Sequence, residues 1–232
     1  MSLNAIKSAR DLDPPRAAAG QVFEHLREMI IELELAPGTV INRQELQQQF
    51  GLSSTPVRDA LLRLGDEDLV DIFPQSATRI SLIDVDKARQ AQFLRRAVEQ
   101  EAVRILCMLP ERDFLPELRE IIEKQRKAAD DRDITGFYAL DREFHRRQYE
   151  LAGAPDLYVL VRQRSGHIDR IRRLHLPVAG KMQQIVRDHT QILKAIAAGD
   201  AVRAQIQVRD HLSRSLAFSP ALKDKHPGYF IG

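Results

Sequence analysis

Residues 50–64 read Phe50-Gly51-Leu52-Ser53-Ser54-Thr55-Pro56-Val57-Arg58-Asp59-Ala60-Leu61-Leu62-Arg63-Leu64. A breaker, a cap and an amphipathic run follow one another without a gap. Gly51 suits the left-handed residue that ends a helix. Thr55 predicts an N-cap and Pro56 a first helical position, where the missing N–H costs nothing. Val57, Leu61 and Leu64 then recur at helical spacing as a buried face. The stretch therefore predicts two helices joined by a tight turn.

Towards the N-terminus, Asn42-Arg43-Gln44-Glu45 has the form of a capping box, which starts the earlier helix and carries it to about Phe50. Before that, Val22, Leu26, Met29, Ile30 and Leu33 predict a helix over 17–35, stopped by Ala36-Pro37-Gly38. Residues 1–16 are polar, contain Pro14-Pro15 and read as an arm. Towards the C-terminus, Leu69-Val70-Asp71-Ile72 and Thr78-Arg79-Ile80-Ser81 are strand-like runs around Phe73-Pro74-Gln75-Ser76-Ala77, a hairpin. Three helices and a hairpin over 17–82 describe a winged helix-turn-helix. Such a unit lays its third helix in the major groove of DNA and its wing along the backbone or minor groove. Arg58 and Arg63 lie on that third helix. Ser53, Ser54 and Thr55 crowd its N-terminus, where hydroxyls and backbone N–H groups bind phosphate. Gln44 opens the second helix beside Arg43, and Arg79 is on the wing.

The whole chain has 232 residues, 44% of them hydrophobic, enough for two compact units. Its formal charge of +2 excludes a polybasic nucleic-acid coat. Residues 1–80 hold 8 basic and 12 acidic side chains, yet residues 40–64 hold 3 and 2. Useful affinity for double-stranded DNA is then expected from a homodimer. One cysteine, Cys107, excludes a disulfide framework and a Cys-rich zinc module. No apolar run approaches a membrane span and the start lacks a secretory apolar segment, so the expectation is a cytoplasmic protein with no membrane partner.

The run from Gln44-Glu45-Leu46 through Ser53-Ser54-Thr55-Pro56-Val57-Arg58-Asp59-Ala60-Leu61 to Leu69-Val70 resembles the DNA-binding domain of GntR-family transcription regulators. The resemblance implies DNA contacts from Ser53, Thr55 and Arg58, with Gln44 at a further contact position. The chain departs from the family at Ser54, where Arg is common, and at Gln75-Ser76-Ala77, where a Gly-centred wing tip is common.

After Asp84 the pattern is helical. Segments near 85–108, 113–130, 133–152, 155–175, 179–198 and 200–217 are separated by Pro110, Asp131-Arg132-Asp133, Gly153-Ala154-Pro155, Pro177 with Gly180, and Gly199-Asp200. This predicts an all-α bundle over 86–217 with a loosely held tail at 218–232. Three apolar faces carry metal-ligand side chains. One reads Phe137, Asp141, His145, Tyr149; the next Ile185, His189, Ile192, Ile196; the last Ala204, Val208, His211. One carboxylate and three imidazoles suit a divalent ion such as Zn or Ni with positions left for ligand oxygens. The competing reading is hydrogen-bonded core histidines, which four residues on three inward faces disfavour.

Asp141-x-x-x-His145, Asp188-His189 and Asp210-His211-Leu212 resemble the FCD effector domain of the FadR branch of the same family. That resemblance implies a dimeric helical bundle, a metal held by an Asp and three His, and a small organic acid effector. Arg95, within Leu94-Arg95-Arg96-Ala97-Val98-Glu99, matches a family arginine that meets the effector carboxylate. Its bottom-up alternative is an ion pair with Glu99 at i,i+4 spacing. The Arg-rich stretch Arg162, Arg164, Arg170, Arg172, Arg173 reads as a solvated or interdomain face, some of it lining an effector cavity. The expected function is a ligand-responsive DNA-binding transcription regulator; the alternative is a helical metallohydrolase with an accessory winged-helix unit. Against the alternative stand the lack of paired acid/base carboxylates near the ligand helices and the order Asp188-His189, the reverse of a helical phosphohydrolase doublet.

Overall fold

The computed structural model describes residues 15–73, 77–214, 216, 217 and 219–231. The expected arm, apart from its last two residues, and the Gln75-Ser76 part of the wing tip lie outside the described residues. The chain divides into two compact units: residues 1–84 with 226–232, and residues 85–225.

In the first unit, α1 (Pro15–Ile31), α2 (Arg43–Phe50) and α3 (Ser54–Asp66) accompany three short strands, β1 (Val40–Ile41), β2 (Val70–Ile72) and β3 (Thr78–Ile80). The sheet order is β1-β3-β2, all antiparallel, with Arg79 of β3 opposite Val40 and Asp71. α1 packs on α3, and Val22, Leu26, Ile30, Leu61 and Leu64 share the dry interior. Asn42 caps α2 by accepting from the N–H groups of Gln44 and Glu45, while Glu45 accepts from Asn42 Nδ2 at 2.8 Å. Gly51 closes α2 at φ 62°.

Three boundaries differ from the sequence reading. α1 stops at Ile31 rather than 35, because Leu33 turns left-handed (φ 64°) and the Leu35 N–H bonds back to Met29. α3 starts at Ser54 with Ser53 as cap, two residues early. Pro56 then stands third in the helix, where the N–H it lacks would have had no intrahelical partner. β1 has only two residues and leaves no periodic signal.

The second unit is all-helical: α4 (Val85–Met108), α5 (Leu115–Asp130), α6 (Ile134–Leu151), α7 (Pro155–Arg164), α8 (Gly166–His175), α9 (Lys181–Ala197), α10 (Ala201–Ser213) and α11 (Ser219–Lys225). α4 packs on α10 and α8, α5 on α6 and α9, and α9 on α10. The segment read as one helix over 155–175 is two. Ser165 Oγ lies 2.9 Å from Arg162 O and 2.5 Å from Asp169 Oδ2, so this side chain competes with the helical ladder and breaks it. α8 is also no solvated face: Arg170 is wholly buried and His167, Asp169 and His175 are buried with it.

The tail is not loose. Residues 219–225 form α11 against α8, and Pro227–Tyr229 make a 3-10 turn. Phe230, buried, then pairs in parallel with Ile83 of the first unit, with bonds from Ile83 N to Tyr229 O (2.7 Å) and from Ile231 N to Ile83 O (3.0 Å). Pro220, Pro227 and Gly228 suggested a tail only because a single bridge carries no sequence period. No helix among the described residues is long and apolar enough to cross a membrane.

Candidate metal centre and nucleic-acid interface

α6 turns Asp141 and His145 inward one turn apart, α9 supplies His189 and α10 His211. All four are buried, and one ligand atom from each lies within 4.8 Å of the others. The sequence reading thus brings together the four residues it named.

The surroundings fix how each imidazole faces. His189 Nδ1 meets Gln125 Oε1 of α5 at 2.9 Å, His211 Nδ1 meets Asp188 Oδ2 at 3.3 Å, and His145 Nδ1 stands 2.8 Å from Glu99 Oε2 of α4. Nδ1 of each ring faces an oxygen, and a proton carried there leaves Nε2 free to ligate. The three Nε2 atoms are then lone-pair donors, and all point to one spot. His189 Nε2 lies 3.3 Å from His211 Nε2 and 3.7 Å from Asp141 Oδ1, and His145 Nε2 lies 4.0 Å from that oxygen. Among the described residues, Asp141 Oδ1 and His145 Nε2 have no hydrogen-bond partner although buried. A cation between them would satisfy the bare carboxylate oxygen and His145 Nε2 together.

Ligand atoms about 2.1 Å from an ion stand at most about 4.2 Å apart, so this set closes on one with under an ångström of movement. The nitrogen and oxygen donors suit Zn or Ni. Outer partners that orient imidazoles in this way raise ligand basicity.

Protonation favours the same use. Burial, with Arg95 adding to it, lowers His145 to about 4. Burial holds His189 well below its ordinary value, with His211 also opposing a proton. Burial alone would raise Asp141; Arg172, then the imidazoles, outweigh it and keep the carboxylate ionised. Arg172 NH2 contacts Asp141 Oδ2 and leaves Oδ1 towards the histidines.

Arg95 is buried and donates from Nε to Glu99 Oε1 at 2.6 Å. It stands behind His145 in an Arg95–Glu99–His145 chain, the i,i+4 pair weighed above. The cavity beside the centre is lined instead by Asp141, His211, Arg172, His175, Lys181 and Tyr138, among others. Sequence reading named neither Lys181 nor the orienting role of Gln125. Gln125 interrupts the apolar stripe Leu118, Ile121, Ile122, Ala129 of α5, which is the signal that exposed the histidines.

In the first unit, Gln44, Ser53, Ser54, Thr55, Arg58 and Arg79 are all exposed. Thr55 and Arg58 are three apart on α3, with Ser54 four before Arg58, so all share a face. Arg63 is exposed too, but its guanidinium sits 3.9 Å from the Phe23 ring of α1. Arg43 donates from Nε and NH2 to Thr78 Oγ1, at 3.2 and 2.8 Å, and ties the start of α2 to the wing strand β3.

Comparison with known proteins fits both units. The description "Bacterial regulatory proteins, gntR family" matches residues 18–80 and "FCD domain" matches residues 90–214. An HTH-type transcriptional regulator in an unstable DNA locus of Streptomyces ambofaciens is 35% identical over 82% of this chain and 80% of its own length. The HTH-type transcriptional repressor RspR of Escherichia coli K12 is 26% identical over 88% and 91%. Among solved structures, E. coli McbR/YncC superposes with a TM-score of 0.76 at 22% identity, covering 90% of this chain and 98% of the other. These relatives are transcription regulators, not enzymes, which leaves the metallohydrolase alternative without support. The chain belongs to the gntR family of bacterial regulatory proteins and is a DNA-binding transcription regulator that carries an FCD domain.

Proposed function

We propose that this regulator holds a divalent metal, Zn or Ni, at Asp141, His145, His189 and His211, and responds to a small organic acid bound beside it. The observation that carries the reading is the convergence of three buried Nε2 lone pairs and Asp141 Oδ1 next to a cavity that Arg172 and Lys181 line. The metal supplies a fixed positive charge and an open position for a carboxylate oxygen. The chain's own part is to orient the imidazoles through Glu99, Gln125 and Asp188, and to place Arg172 where an acid arrives. Arg95 acts on the effector through Glu99 and His145 rather than by its own fork.

Operator DNA is bound through Ser53, Ser54, Thr55 and Arg58 at the head of α3, with Gln44 on α2 and Arg79 on the wing. Arg63 serves the α1–α3 packing first. The slight positive balance of residues 40–64 is too weak for tight binding by one copy, so the active species is a homodimer on two half-sites. Phe93 of α4 and Leu157, Val159 and Leu160 of α7 expose large apolar side chains that a second copy would cover. An acid that binds one arrangement of the dimer better shifts operator affinity by that difference.

The test is operator binding followed by fluorescence anisotropy with Zn-loaded protein and a panel of small acids, amines and neutral sugars. Acids should change the affinity, and the others should not. Equal effects from neutral compounds, or no effect from any compound, would overturn the reading.

A further inference from the structure

An open groove of about 390 Å³ runs between the start of α2 and the wing strands, lined by Val40, Ile41, Arg43, Gln44, Phe73 and Thr78, among others. Two of its walls are apolar and half exposed, Val40 and Phe73. Among the described residues its lining holds one charged side chain, Arg43, and no carboxylate. Of the acids nearby in the fold, Glu45 accepts from Asn42 Nδ2 at 2.8 Å, and Asp71 stands opposite Arg79 on β2. Arg43 is exposed yet held in place. Its Nε and NH2 donate to Thr78 Oγ1 at 3.2 and 2.8 Å. Thr78 is buried and paired with Ile41 of β1 and Ile72 of β2, so the hydroxyl that grips Arg43 belongs to the central strand. The guanidinium keeps NH1 and the second hydrogen of NH2 for an anion. Its rotamer freedom is already spent, which lowers the cost of gripping one.

A cation between apolar walls matches a nucleic-acid backbone, whose anionic oxygens alternate with apolar sugar edges. The groove is also continuous with the operator face: Gln44 lines it, and Arg79 follows Thr78 on β3. We propose that this groove seats the sugar–phosphate backbone of the operator, with Arg43 taking a phosphate and Val40 and Phe73 flanking the neighbouring sugars. This rests on the operator docking above and adds a contact that sets register rather than sequence, because a phosphate carries no base information. Through Thr78 the same guanidinium ties α2 to the wing strand. Arg43 is thus a positioning residue for Gln44 and Arg79 as well as a backbone contact.

A duplex of mixed sequence serves as the probe, since a phosphate contact is indifferent to sequence. Anisotropy titrations of full-length protein between about 50 and about 200 mM salt give the slope of log affinity against log salt. Circular-dichroism melts check that each variant folds. Arg43→Met should weaken binding most at low salt and flatten the slope by about 0.9 for each bound copy. Arg43→Lys should keep most of the slope. Thr78→Val releases the guanidinium but leaves its charge, so it should weaken binding at the wild-type slope. A Thr78→Val protein that binds as tightly as wild type would overturn the positioning role. An Arg43→Met protein with the wild-type slope, beside an Arg58→Ala protein that binds weakly, would overturn this inference alone. Wild type that binds no duplex, or both arginine variants binding as wild type, would overturn the operator docking and this inference with it.

Discussion

Loading the apo protein with Zn²⁺ should stabilise its helical unit, and the size of the effect can be worked out. Without a cation, His189 Nε2 and His211 Nε2 meet at 3.3 Å, a hydrogen-bond distance, but Asp141 Oδ1 is buried with no hydrogen-bond partner among the described residues. An ion removes that penalty in the folded state alone, because unfolding separates ligands drawn from α6, α9 and α10. At a free ion concentration 100 times the dissociation constant, mass action gives about 2.7 kcal/mol. For a unit of this size about 1 kcal/mol moves the midpoint by about 2–4 °C, so the expected rise is about 5–10 °C. The assay is differential scanning calorimetry of protein stripped with chelator and then titrated with Zn²⁺, with elemental analysis alongside. His211→Ala is the control. His211 is the most exposed of the four, at 7%, so its removal should disturb packing least while deleting one donor. The variant should bind metal weakly and lose most of the rise. Wild type that takes up no metal, or His211→Ala that rises as far as wild type, refutes the reasoning.

Three further outcomes are expected. Arg58→Ala should weaken operator binding by about 1–3 kcal/mol at fixed salt with the dimer intact, as read by anisotropy titration; unchanged affinity would remove α3 from the groove. Gln125→Ala should lower metal affinity about 10–100-fold, measured by competition with a chelating dye, although Gln125 touches no metal: it removes the acceptor of His189 Nδ1. The pH prediction concerns apo protein. His145 falls from 6.5 in the unfolded chain to about 4 when folded, so between those values the unfolded state binds more protons and stability falls as pH falls. The loss is about 3 kcal/mol from pH 6.5 to 4, visible as a falling urea midpoint; a flat profile over that window would exclude a buried neutral His145.

Much of the fold was legible because its signals are local. The Asn42 cap, Gly51 and the stripe Val57, Leu61, Leu64 each lie within one or two turns, and the structure has them where the spacing put them. The grouping of Asp141 with three histidines was legible for the same reason: His145, His189 and His211 each interrupt an apolar face of their own helix. The missing parts depend on distant partners. Nothing local ties Gln125 to His189 or Asp188 to His211, since those pairs form only when α5, α9 and α10 meet. The cavity role of Lys181 emerges from the packing of α6, α8, α9 and α10. Arg95 shows the converse, for its family match suggested a ligand contact while the spacing to Glu99 gave the pair the structure contains. The break at Ser165 was missed because one serine in a helical pattern is ordinarily tolerated; only its two side-chain contacts make it a boundary.

The parallel bridge between Ile83 and Phe230 has a consequence for synthesis. Ile83 is fully buried, and its N–H and C=O are both satisfied by residues 229–231. The ribosome produces those residues roughly 150 positions after Ile83, which at ordinary elongation speeds is on the order of 10 seconds. During that interval three helices and the small sheet can form, yet two main-chain groups beside them wait for partners. The DNA-binding unit is thereby left unfinished until the helical unit has been made. A nascent chain, or one shortened before residue 229, lacks the partners of Ile83, so the order of translation itself disfavours a finished DNA-binding unit without its FCD domain.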